Sequence, residues 1–247
     1  MSIKKPEIVL GDVIATLRRC DGVYECPMST EGKPLGPLVG YAGQYEEGGK
    51  LLNYVGFVYY NVGKGDQWSH ISSGWAMRHA QLLTKYSLDV LVAAPMGGIS
   101  YMSVLKLYID CCRGIFAEKK VIEAAQEGKR EKSKLILGRY DICEGDRVIL
   151  LEDIVNNFST TKQMIELVEN AGGKVQAIAC VINRSLKTTY WEAPARDPLP
   201  VICLEHRPTP QYRQDDPVVA EYIAVGNVIM KPKDRWAELV AAEAAYA

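Results

Sequence analysis

Between Asp89 and Arg184 the chain alternates short apolar runs with stretches of helical spacing, the pattern of a parallel sheet joined by crossover helices. DVLVAAP (89–95) is a continuous apolar run that stops at Pro95 and a glycine pair, as expected of a strand buried on both faces that feeds a tight turn. ISYMSVLKLYIDCC then places Ile99, Met102, Leu105 and Ile109 at three-to-four spacing, which predicts a helix lying on the sheet. GIFAEK (114–119) and RVILLED (147–153) predict the next two strands. TTKQMIELVENAGG predicts a helix with Met164, Ile165, Leu167, Val168 and Ala171 on one side and Gly172 and Gly173 as its stop, and KVQAIACVINRS a further strand.

The ends of the chain are less regular. The pattern predicts a helix near Val13 to Arg19, a Gly/Pro-rich stretch from Gly32 to Gly49, a strand-like YVGFVYYNV and a helix from about Ser72. Further on, PVICLEH reads as a strand, YRQDDPVV as turns, EYIAVGNVIM as strand-like and the Ala-rich end as a helix. Between the second and third strands, KKVIEAAQEGKREKSKLILGRYDICEGD is charged and helical in character near its start. A stretch that long between strands is a functional flap or a loosely held insertion. No repeat or linker marks a separate domain, so one domain is expected over 1–247, with its core at about 54–184 and a cap from about 1–53 and 205–247.

Composition narrows the classes. The 247 residues are 48% hydrophobic and 24% charged, which excludes collagen-like, low-complexity and wholly disordered chains. Twenty-nine Lys and Arg against 30 Asp and Glu leave a net charge of -1, so there is no electrostatic basis for nucleic-acid or membrane-surface binding, although a local anion site is compatible. The first apolar run breaks at Gly11 and Asp12, so no signal peptide is expected, and no stretch approaches the ~18 apolar residues of a spanning helix. Cys20, Cys26, Cys111, Cys112, Cys143, Cys180 and Cys203 form no CxxC pair, and His70, His79 and His206 stand at no ligand spacing. They read as buried thiols of a reducing cytoplasm, with no metal site built from these residues.

Chemistry concentrates after one strand. Glu152 and Asp153 end a buried strand and are followed by IVNNFSTT and a helix, so two carboxylates stand at the rim where open α/β sheets bind ligands. Ser159, Thr160 and Thr161 offer hydroxyls beside unsatisfied helical N–H groups, a site suited to phosphate. A plain N-cap at Ser159 or Thr160 accounts for the same residues.

RVILLEDIVNNFSTT resembles the phosphoribosyl-pyrophosphate signature of the type I phosphoribosyltransferases, and looks most like that of the orotate phosphoribosyltransferases. The resemblance implies that Glu152 and Asp153 accept hydrogen bonds from the ribose hydroxyls, and that Asn156, Asn157, Phe158, Ser159, Thr160 and Thr161 form the 5′-phosphate loop. LVAAPMGGIS is similar to the family's pyrophosphate loop, which gives that role to Pro95, Met96, Gly97 and Gly98. IFAEKK resembles the family's Phe-Ala-Glu-Lys strand end, and the charged stretch after it falls where these enzymes carry a mobile catalytic loop. By that likeness Lys119 joins Asp153 as a catalytic residue, and Lys120, Lys129, Arg130, Lys132 and Lys134 are loop cations. Their interleaving with Glu123, Glu127 and Glu131 reads equally as a solvated surface helix.

The likeness covers about residues 54–184. It implies an α/β fold with a phosphoribosyltransferase-type, Rossmann-like parallel sheet flanked by helices and a small cap or hood. The implied activity is transfer of phosphoribose from phosphoribosyl pyrophosphate to a pyrimidine-like base, orotate first among them, with release of pyrophosphate. The implied cofactor is Mg²⁺, the implied state a cytoplasmic homodimer, and no nucleic acid or membrane is implied as a partner. The sequence departs from the family where Asn156, Asn157 and Phe158 replace Thr-Thr-Gly. Phenylalanine carries a Cβ where glycine permits positive φ, so the turn is strained, rearranged, or plugged by the ring beneath the helix start. That departure leaves open a noncatalytic member of the fold that binds a nucleotide or phosphoribosyl pyrophosphate as a sensor or regulatory subunit. Elsewhere, Tyr54, Phe57, Tyr59 and Tyr60 loosely resemble the segment that closes over the base, or are strand packing, and YRQDD (212–216) echoes a C-terminal stretch of some orotate enzymes.

Overall fold

The structure, a computed structural model, describes residues 5–9, 11–110, 112–123, 132–191 and 197–246. It divides into two units, residues 1–65 with 208–247, and residues 66–207. The first begins with α1 (Val13–Arg19), whose start is capped by Asp12: its carboxylate accepts from the Ala15 amide at 2.7 Å. β1 (Val23–Glu25), β2 (Leu38–Glu47), β3 (Lys50–Gly56) and β4 (Val58–Tyr60) follow, then the single turn α2 (Gly63–Asp66). β1 pairs with β4 and β2 with β3, both antiparallel. β2 runs through the stretch read as Gly/Pro-rich; Gly40 and Gly43 interrupt its β-forming positions and hide the strand in the sequence.

The second unit carries α3 (Ser69–Leu83), β5 (Val90–Ala93), α4 (Gly97–Leu105), β6 (Arg113–Phe116), β7 (Glu118–Glu123), β8 (Lys132–Ile136), β9 (Arg147–Val155), α5 (Ser159–Asn170), β10 (Lys174–Asn183), β11 (Thr189–Tyr190) and β12 (Leu199–His206). Its central sheet has the order β11-β12-β10-β9-β5-β6, parallel except for the edge strand β11. Both faces are buried, which is why the strands read as continuous apolar runs. Val90, Val92, Val148, Leu150, Ile178 and Cys180 form one core with Met164, Ile165 and Val168 of α5. On the other face, the buried ring of His79 in α3 joins the Tyr101 hydroxyl of α4 and the Ile202 carbonyl of β12, each at 3.1 Å.

Two elements differ from the pattern reading here. The helix over ISYMSVLKLYIDCC ends at Leu105; a 3-10 turn covers Lys106–Tyr108 and Ile109 is extended. The charged stretch is strand rather than helix at its start, because Glu118–Glu123 pairs antiparallel with Lys132–Ile136 and cross-strand pairing overrides local helix preference. Of the thiols, Cys143 is exposed and Cys112 and Cys203 are half-buried, so the uniformly buried reading is corrected; Cys111 lies outside the described residues.

The chain then completes the first unit with α6 (Ala220–Ala224), β13 (Val228–Ile229) and α7 (Trp236–Ala244). EYIAVGNVIM is therefore not one strand. Asp216 starts a helical turn by accepting from the Val218 and Ala220 amides, and Gly226 at φ +73° turns the chain into β13, parallel to β2. The aromatic run packs inside this unit, Tyr54 on Tyr45 at 4.9 Å, Phe57 on Tyr212 at 5.5 Å and Tyr59 on Trp236 at 6.0 Å. YRQDD fastens the C-terminal segment to the β2–β3 hairpin: Tyr212 exchanges backbone bonds with Val55, Arg213 lies over the Tyr45 ring, and the Gln214 amide donates to the Tyr45 hydroxyl at 2.7 Å. Among the described residues no helix is long and apolar enough to cross a membrane.

Candidate active site

β5, β6, β9 and β10 run in one direction, and their register aligns Phe116 with Ala93 and Ala93 with Leu151. The segments after these strands therefore leave from one carboxyl edge, the usual place for a ligand in such sheets. Backbone bonds continue the alignment beyond the strands: Ala94 donates to the Leu151 carbonyl at 2.9 Å, Ala117 to Ala93 at 3.0 Å and Arg184 to Val155 at 2.8 Å. Pro95 to Gly98, the run into Lys119, and Glu152 to Thr161 thus start from the same rim, as the motif spacing implied.

The turn after β5 touches β9 directly. A Cβ on Gly97 would overlap the Asp153 carboxylate, and one on Gly98 would stand 2.6 Å from the Leu151 carbonyl oxygen. The glycine pair is thus required by close approach of α4's first turn to the acidic strand end. The Pro95–Met96 peptide is cis, and Met96 is 82% exposed. Asp153 is half-buried, and one of its carboxylate oxygens accepts from the Ile154 amide at 2.9 Å.

Glu152 and Asp153 occupy opposite faces, as neighbours on a strand do. Asp153 meets α4 at Gly97, whereas Glu152 lies in register with Cys180 on the α5 side and is only 9% exposed. Burial, reinforced by the Asp153 charge, pushes the Glu152 carboxyl well above the usual carboxylate range.

Phe158 stands at the N-cap of α5 with φ +60° and ψ 13°, the left-handed conformation that glycine would adopt freely. The ring is buried, 8% exposed, in the core with Val155, Met164 and Ile165, and its centroid lies 5.1 Å from that of Tyr190. The left-handed backbone costs about 1–2 kcal/mol. Burial of the ring returns roughly 2–3 kcal/mol and an aromatic pair about 1 kcal/mol. Packing wins, and the ring is the hydrophobic plug under the helix start. Neither Ser159 nor Thr160 is the cap: Ser159 is the first helical residue, and its amide donates to Asn157 Oδ1 at 3.2 Å. The amides of Thr160 and Thr161 also lie in the first turn, which a helix leaves without internal partners.

Lys119 and Lys120 lie exposed on β7, Lys120 facing Lys134 of β8 across the pair, and none of the three forms an ion pair with another described residue. Lys132 belongs to β8 by its backbone; Lys129 and Arg130 lie outside the described residues. One group went unremarked in the sequence. At the end of β10, Asn183, Arg184 and Ser185 are buried at 0%, 4% and 8% exposure. The Ser185 hydroxyl donates to Asn183 Oδ1 at 2.7 Å, the Asn183 amide donates to the Lys187 carbonyl at 2.8 Å, and His206 Nε2 meets the Ser185 carbonyl at 2.9 Å. Its only signal was a polar Asn-Arg-Ser directly after an apolar strand.

The profile of the phosphoribosyl transferase domain matches residues 70–204, more than half of the chain and all of the rim just described. The chain belongs to this family. Among curated phosphoribosyltransferases, the orotate phosphoribosyltransferase of Caldanaerobacter subterraneus subsp. tengcongensis is 29% identical over 128 residues, 51% of this chain and 61% of that protein. The orotate phosphoribosyltransferase of Thermotoga maritima is 31% identical over 107 residues, 43% of this chain and 51% of that protein. The match therefore spans about half to three-fifths of these relatives' own length. A solved orotate phosphoribosyltransferase from Mycobacterium tuberculosis aligns at a TM-score of 0.45 and 15% identity, over 69% of this chain and 89% of that one.

Proposed function

We propose that the protein transfers phosphoribose from phosphoribosyl pyrophosphate to a ring nitrogen of a pyrimidine-like base, orotate, and releases pyrophosphate. The observation that carries the reading is the seat of Asp153 against Gly97. It brings a carboxylate suited to sugar hydroxyls beside a glycine turn suited to a diphosphate, with the first turn of α5 leaving the same edge for the 5′-phosphate.

In the displacement the bond from the anomeric carbon to the diphosphate oxygen breaks and its electron pair leaves with pyrophosphate. A lone pair of the base nitrogen forms the new bond, and the proton that nitrogen carried is given up to the departing pyrophosphate. Positive charge develops on the ribose and negative charge on the leaving group, so a fixed carboxylate at the sugar and cations at the diphosphate lower the barrier. Asp153 supplies the first, and Lys119, exposed on β7 just after the β6 strand end, the second. Among the described residues no three His, Cys, Asp or Glu side chains converge as a metal cluster. Mg²⁺ carried in on the diphosphate would keep several waters and take one or two carboxylates, and the half-buried Asp153 at the rim is the residue that would hold it. When bound, the ion neutralises charge on the departing pyrophosphate.

The test is loss of orotate absorbance in the presence of phosphoribosyl pyrophosphate and Mg²⁺, with pyrophosphate released one for one. Phosphoribosyl pyrophosphate binding without turnover would make the chain a binding protein of the same fold, and no binding would remove both readings.

A further inference from the structure

We infer that Tyr190 is a positioning residue for the phosphate turn, holding Phe158 and through it the backbone that presents the first amides of α5. Three observations lead there. Phe158 and Asp21 are the non-glycine residues of the described chain with φ in the left-handed region, and Phe158 is the one that opens a long helix at the rim. Its turn has no side-chain cap from Phe158 itself; it is held by the ring, buried beneath the helix start, together with the Lys162 amide bonded to the Phe158 carbonyl at 2.8 Å and the Ser159 amide bonded to Asn157 Oδ1 at 3.2 Å. The aromatic partner of that ring is Tyr190, 7% exposed, centroids 5.1 Å apart and planes inclined by 40°.

Tyr190 comes from the opposite margin of the sheet. It lies on the two-residue edge strand β11, pairs with Leu199 of β12, and is separated from β9 by β12 and β10. A residue remote in sequence and two strands away thus bears on the one backbone torsion that sets the direction of the Ser159, Thr160 and Thr161 amides. Glycine at position 158 would need no such support, because it adopts positive φ without a steric penalty. The ring pair takes the place of glycine, and Tyr190 matters only while Phe158 is present.

The inference rests on the reading that this turn holds a phosphate, and two readouts separate the two. The first is calorimetric titration with ribose 5-phosphate and, separately, inorganic pyrophosphate. Tyr190→Ala is expected to weaken ribose 5-phosphate at least tenfold and leave pyrophosphate within twofold, with Tyr190→Phe close to the parent protein. In the F158G background Tyr190→Ala is expected to change ribose 5-phosphate affinity less than twofold. An equal loss in both backgrounds, or an equal loss for both ligands, overturns the inference. The second readout needs no ligand: amide hydrogen exchange at Ser159 and Lys162 should accelerate at least tenfold on Tyr190→Ala in the parent and not in F158G, while amides of α4 serve as the control for general unfolding. If the parent binds neither ligand, the phosphate reading fails alone, and exchange at Ser159 and Lys162 still decides the role of Tyr190: acceleration confined to the Phe158 background upholds it, and no acceleration overturns it.

Discussion

Gly97 and Asp153 meet so closely that the side-chain carboxylate of one occupies the space where a Cβ of the other would lie. Gly97→Ala must therefore displace the carboxylate, the α4 start, or both. Overpacking of this kind costs about 1–3 kcal/mol. The expected result is a modest fall in Tm with a loss of phosphoribosyl pyrophosphate affinity of at least tenfold, read by thermal melting and titration on the same sample. A variant that melts earlier and binds normally would separate Asp153 from the sugar.

Glu152 predicts a pH dependence of stability. Burial raises its carboxyl in the folded chain above the unfolded value, so the unfolded chain ionises first as pH rises. The favourable contribution is complete below about pH 4.5 and is lost progressively as pH climbs towards the folded value. Glu152→Gln cannot ionise. The Tm of Glu152→Gln minus that of the parent should therefore be larger at pH 8 than at pH 5, and a difference that is flat with pH would show that the carboxyl is solvated.

His79 gives the opposite slope. Burial among α3, α4 and β12 pulls its imidazole down from 6.5 to about 4, so the neutral ring is the folded form. Between those pH values the unfolded chain takes up a proton that the folded one refuses, and stability falls as pH is lowered. At about 1.4 kcal/mol per unit the loss amounts to roughly 3 kcal/mol. Denaturant unfolding at pH 7 and pH 4.5 should show most of that loss in the parent protein and a smaller one in His79→Gln.

At position 158 the usual order of alanine and glycine should reverse. Phe158→Ala and Phe158→Gly both lose the buried ring, but alanine retains the left-handed strain of about 1 kcal/mol that glycine escapes. Phe158→Gly should be the more stable of the two in urea, and alanine the more stable if the turn relaxes to negative φ.

The sheet was legible in the sequence because its strands are buried on both faces, and runs such as Val90–Ala93 and Arg147–Val155 need no alternation to be recognised. The rim was legible because its turns are local: a glycine pair at 97 and 98, an acidic pair at 152 and 153, a helix start at 159. Contacts across the sheet were not. Nothing near Phe158 in the chain announces Tyr190, and nothing near Gly97 announces that Asp153 rather than Glu152 faces it. The β7 strand was hidden for a related reason, since its partner strand lies beyond the charged connection. The short β13 was hidden by Gly226, whose turn ends a helix within what reads as one apolar run.

The most direct test of the central claim is calorimetric titration of phosphoribosyl pyrophosphate with Mg²⁺ into the parent protein and into Asp153→Asn. A sugar phosphate seated on the rim between the α4 turn and the α5 start predicts one saturable site in the parent and a loss of affinity of at least tenfold in the variant. Equal affinity in the two proteins, or no saturable binding to the parent, would contradict it.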